Sequence, residues 1–62
     1  MPTEKEKILV KKLSEGFVPK ELAAEENKSV RTIEVRKEKL MYKHEARNVA
    51  HLVGIFFRNK WI

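Results

Sequence analysis

Apolar residues recur along this chain at helical spacing, and no window alternates apolar and polar residues between turn formers. The pattern therefore predicts helices and no strands. Four helices are expected. The first opens at Thr3, whose spacing to Glu6 fits a capping box, and runs to about Ser14 with Ile8, Leu9 and Leu13 on its inner face. Gly16 stops it where a left-handed residue is wanted, and Phe17 just beyond is expected to pack back into the core. Pro19 suits the first turn of a second helix, where its missing N–H costs nothing, and that helix ends near Asn27. Ser29 caps a third. Along it Ile33 and Leu40 share one face at seven-residue spacing, with Val30 and Met41 at the edge. Its opposite face carries Arg31, Val35, Glu38, Lys39 and Tyr42. A fourth helix starts near Ala46 and continues to about Arg58, with Val49, Leu52, Val53 and Phe56 as its apolar stripe. Trp61 and Ile62 follow, an apolar tail expected to find cover.

The expected fold is all-α: one domain over residues 1–62, a four-helix bundle whose middle helices form a helix-turn-helix. At this size the core is near the lower limit for independent stability, and no cysteine is available to staple it. No run approaches the ~20 apolar residues of a membrane span, and no secretory signal is visible. A cytoplasmic protein with no membrane partner is expected.

Charge sharpens the picture. The net charge is +5, but residues 1–27 hold five Lys or Arg against six Glu. Residues 28–43 hold six cations (Lys28, Arg31, Arg36, Lys37, Lys39 and Lys43) against Glu34 and Glu38. Charge gathered on one segment is the footprint of a polyanion partner. A solvated basic helix face would read the same way.

The order of elements carries more information: Gly16, then Lys20-Glu21-Leu22-Ala23, then Ser29-x-x-Thr32-Ile33, then Leu40, all without a gap. Two short helices in tight succession, the second one basic, are what a helix-turn-helix DNA reader requires. In this register the chain, from about Thr3 to Ile62, resembles the LuxR/GerE DNA-binding domain, the C-terminal output domain of many bacterial response regulators. The resemblance implies binding of double-stranded DNA in transcription regulation, within the bacterial nucleoid. It also implies a homodimer through the fourth helix and contact with RNA polymerase, and calls for no cofactor. A receiver or ligand-sensing domain normally precedes such a domain, although a stand-alone regulator fits as well. Departures are visible: Glu26 and Lys28 stand where the family has apolar residues, Arg36 replaces a histidine, His44 replaces an apolar residue, and Glu34 replaces a basic one. If Glu26 occupies an apolar site, leucine in its place should stabilise the domain.

Each candidate contact has two readings. Val35 is an ordinary exposed valine, or it meets a thymine methyl in the major groove, where the family places a contact. Glu34 and Glu38 accept from cytosine amino groups, or they pair on a solvated helix, Glu34 with Arg31 or Lys37 and Glu38 with Lys39 or Tyr42. Ser29 is a cap, and the N–H groups beside it, near Arg31 and Thr32, form a phosphate seat. Lys20, Lys39 and Lys43 would hold the DNA backbone. Arg36, nearer the inner face, is expected to snorkel over the core to an acid such as Glu21.

On the fourth helix, Gly54 lies on the outer face near Arg47, His51, Ile55 and Arg58, and a small outward residue admits a second helix. Phe57 and Trp61 would then belong to the interface; a tolerated glycine in a monomer is the alternative. His44 and His51 have no partners at metal spacing, and no base stands beside Ser14 or Ser29, so neither a metal site nor an enzyme is expected. The competing class is a protein-interaction module, a helix-turn-helix fold that has lost base reading.

Overall fold

A computed structural model describes all 62 residues. Four helices follow one another with no strand: α1 (Glu4–Ser14), α2 (Pro19–Glu26), α3 (Val30–Lys43) and α4 (Val49–Arg58). Helix α1 packs against α4, α2 against α3, and α3 also meets α4. The starts are set by local chemistry. The Thr3 hydroxyl accepts from the Glu6 N–H while the Glu6 carboxylate accepts from the Thr3 N–H, a complete capping box. At α2 the Glu21 carboxylate accepts from the Val18 N–H at 3.0 Å, just ahead of Pro19. The Ser29 hydroxyl caps α3 by accepting from the Thr32 N–H, and the Asn48 side chain caps α4 by accepting from the His51 N–H.

All four helices end alike. A residue at positive φ (Gly16, Asn27, Glu45 and Lys60) follows each one. The next N–H then bonds back five residues: Phe17 to Lys12, Lys28 to Ala23, Ala46 to Met41, Trp61 to Phe56. These paired turns satisfy carbonyls that a helix end leaves open.

Each helix contributes two residues to the core: Leu9 and Val10, Leu22 and Ala23, Ile33 and Leu40, Leu52 and Phe56. Leu13, Phe17, Met41, Trp61 and Ile62 pack around them, so the apolar tail is indeed covered. On α1 the inner face differs from expectation. Val10 is fully buried, whereas Ile8 is 50% exposed. Three consecutive apolar residues cannot share one helical face, and Leu9, Val10 and Leu13 form the arc that faces the core. Val30, at the edge of the apolar face of α3, is 40% exposed. Helix α4 begins at Val49 and not near Ala46, because Glu45 takes the left-handed turn after α3 and Asn48 supplies the cap.

Candidate nucleic-acid interface

Helices α2 and α3 are joined by three residues, Asn27, Lys28 and Ser29, a connection as short as helix-turn-helix units use. Asn27 makes the turn with φ 56° and ψ 44°, a conformation that asparagine tolerates better than most residues. Ser29 and Thr32 then lock the start of α3: the two hydroxyls lie 2.8 Å apart, and Ser29 accepts the Thr32 N–H at 3.1 Å. The N–H groups of Val30 and Arg31, in the same turn, have no partner within the protein.

With Ile33 and Leu40 buried, the opposite face of α3 presents Arg31, Val35, Glu38 and Tyr42, spaced i, i+4, i+7 and i+11. Arg31, Glu38 and Lys39 are exposed, and Thr32, Glu34 and Val35 are half-buried. Tyr42 is 89% exposed. Its period placed it on this face, yet nothing in its residue type marked it as a contact. Eleven residues at ~1.5 Å rise make the stripe roughly 16 Å long, enough to lie along a major groove.

The ion pairs sort the charges. Lys12 pairs with Glu25 and Lys11 with Glu15, Arg36 donates to Glu26 at 2.9 Å, and Lys43 reaches Glu6 on α1 at 3.9 Å. The acids of α1 and α2 are thus largely engaged, while Lys20, Lys28, Arg31, Lys37 and Lys39 have no carboxylate within 4 Å. Lys43 is turned toward α1, off the stripe. Arg36 finds Glu26 in place of Glu21, which is occupied in capping α2. Neither Glu34 nor Glu38 makes the ion pair that a solvated helix would offer it. Glu26 and Lys28 are exposed, so the turn does not bury them as its apolar residues would be. The Lys12 ammonium is held above the ordinary lysine value by the hydrogen bond to Glu25, against a smaller opposing effect of burial.

On α4 the outward stripe is Ala50, Gly54 and Phe57, with Phe57 70% exposed and Arg47 and Arg58 exposed beside it. A Cβ built on Gly54 would meet nothing within 4 Å, so the glycine faces open space. Ile55 instead packs on the core. His51 is half-buried, and its Nδ1 accepts the Arg47 N–H at 3.0 Å. Trp61 lies with His44 and Phe56 in an aromatic cluster, ring centres 5.1 to 5.5 Å apart, and is partly buried against the core. No helix is long and apolar enough to cross a membrane, and no group of three His, Cys, Asp or Glu residues is placed to hold a metal ion.

Compared with known proteins, the chain matches no family model, no curated protein and no solved structure.

Proposed function

We propose that this chain is a helix-turn-helix domain of the LuxR/GerE type that binds double-stranded DNA in bacterial transcription regulation, with α3 in the major groove. The observation that carries the reading is the outward face of α3. It is an outward stripe of exposed Arg31, Glu38 and Tyr42 around the half-buried Val35, flanked by Lys39, on a helix anchored by α2 across a three-residue turn. Around it the cations Lys20, Lys28, Arg31 and Lys39 are unpaired, as phosphate binding requires. Arg31, with the free N–H groups of the first turn, supplies a phosphate seat, and Val35 and Glu38 supply the base contacts. A homodimer through Ala50, Gly54 and Phe57, rimmed by Arg47 and Arg58, would present two such helices to two half-sites. RNA polymerase is a further partner in this scheme.

The test is a binding isotherm on duplex DNA at two salt concentrations, about 50 and 200 mM. Affinity should fall steeply between them, because each neutralised phosphate releases counterions. Lys39→Ala should weaken binding alike on all sequences and lower the salt slope by about one, whereas Val35→Ala should change preference among sequences. Absence of salt-dependent affinity for any duplex would refute the proposal. The second reading, an interaction module that has lost base reading, rests on the unpaired Glu34 and Glu38 on the same helix, since carboxylates there repel phosphate. It takes over if the wild-type domain fails this test.

A further inference from the structure

A groove of about 430 Å³ lies where α1, α2 and α3 meet, away from the outward stripe of α3 and from the outer face of α4. Its apolar wall is formed by Ile8, Leu9, Leu22 and Leu40. Ile8 is the residue that the packing of α1 leaves without a place in the core, and it stays half exposed beside this groove.

The rim is electrically lopsided. Two ion pairs close one end, Lys12 with Glu25 between α1 and α2, and Arg36 with Glu26 between α2 and α3. The other end is located by the approach of Lys43 on α3 to Glu6 on α1. Lys5 on α1 and Lys39 on α3 also line the groove. Neither has a carboxylate within 4 Å. Glu6 itself is occupied by the Thr3 cap and by Lys43. The groove therefore has an apolar floor, an end closed by two ion pairs, and two uncompensated cations in its lining. Its volume falls within the roughly 300–1,000 Å³ of small-molecule sites. A standard protein interface covers about 800 Å² per partner, more surface than a groove of this size presents.

We infer that this groove binds a single amphipathic anion, with its apolar body against Ile8, Leu9, Leu22 and Leu40 and a carboxylate-type head at Lys5 and Lys39. The floor supplies affinity through buried apolar area, and the head selects the orientation. The inference shares Lys39 with the DNA reading but does not rest on it, because the site needs no nucleic acid to be occupied and its probe contains none.

The probe is decanoate, with decylammonium as the control of equal chain length and opposite head, both below their micelle concentrations. Binding is followed through the methyl NMR signals of Ile8, Leu9, Leu22 and Leu40. Decanoate should shift these signals saturably, and at least tenfold more tightly than decylammonium. Lys5→Gln combined with Lys39→Gln should abolish that preference; both side chains are exposed, so the fold should persist, as circular dichroism would verify. No saturable shift, shifts centred on Phe57 of α4, equal affinity for the two heads, or a preference that survives the double substitution would each overturn the assignment.

Discussion

Replacing His44 by phenylalanine should make the domain more stable. His44 closes α3 with its ring edge-on to Phe56 at 5.2 Å and tilted against Trp61 at 5.5 Å. Its Nε2 is buried and has no hydrogen-bond partner. An orphaned buried polar group costs about 1–3 kcal/mol. Phenylalanine removes that cost and keeps the aromatic contacts, at the expense of fitting a slightly larger ring. The expected net gain is about 1–2 kcal/mol. For a chain of this size each kcal/mol raises Tm by about 4–8 °C. His44→Leu should gain less, because it forfeits aromatic contacts worth about 0.5–1.5 kcal/mol. His44→Ala should lose about 2 kcal/mol or more, because it opens a cavity beside Phe56 and Trp61. Urea unfolding followed by circular dichroism measures all three. A phenylalanine variant no more stable than the wild type, with an unchanged m-value, would show that the nitrogen costs nothing where it sits, and the reasoning would fail.

Glu45 holds φ 55° and Lys60 φ 58° in turns that glycine would take without strain, so Glu45→Gly should stabilise by about 0.5–1 kcal/mol. Gly16→Ala, at φ 96°, should destabilise by about 1 kcal/mol, and a reversed order of these two melting temperatures would contradict the account of the helix ends. Gly54→Ala should raise helix stability by up to about 1 kcal/mol, since the new methyl meets nothing. In the same assay at several protein concentrations, Gly54→Trp should remove the concentration dependence of Tm that a dimer through this face confers. Glu26→Leu should leave stability within about 1 kcal/mol of wild type in urea unfolding, because an exposed ion pair with Arg36 is all it removes; a larger gain would mean that the position is buried.

The parts of this fold legible in the sequence are those decided by a few neighbouring residues. Thr3 with Glu6, Pro19 and Ser29 announced three helix starts, and Gly16 announced a stop, because caps and turns are chemistry within one turn of helix. Asn48 was an equally local signal ahead of an apolar run, and reading it would have moved the start of α4 from Ala46 to Val49. Glu45 and Lys60 could not be read, since neither residue type favours positive φ. The choice between Ile8 and Val10 was not local either. It depends on how the other helices lie across α1. The outward face of α3 followed directly from its period, whereas the Arg36–Glu26 pair, the turning of Lys43 to Glu6 and the three-helix groove join residues distant in sequence.

The charge distribution shows why those long-range pairs matter for function. Of nine glutamates, Glu6, Glu15, Glu25 and Glu26 sit in ion pairs, and Glu21 caps α2. Only Glu4, Glu34, Glu38 and Glu45 are left without a cation within 4 Å or a capping bond. Of these, two lie on α3 beside Arg31 and Lys39. In a bare basic helix meant only to grip phosphate, two uncompensated acids would be a plain cost, because charges within a Debye length of about 8–10 Å offset one another. A helix that reads base edges has a use for them, since a carboxylate accepts from a cytosine amino group and disfavours bases that offer only acceptors. Helix α3 would then bind non-specific DNA weakly for its cation count and depend on base contacts, and on a second copy, for affinity. The unpaired acids thus distinguish between the two readings by where the energy must come from: a DNA reader compensates for them with matched bases, and an interaction module with a partner's cations.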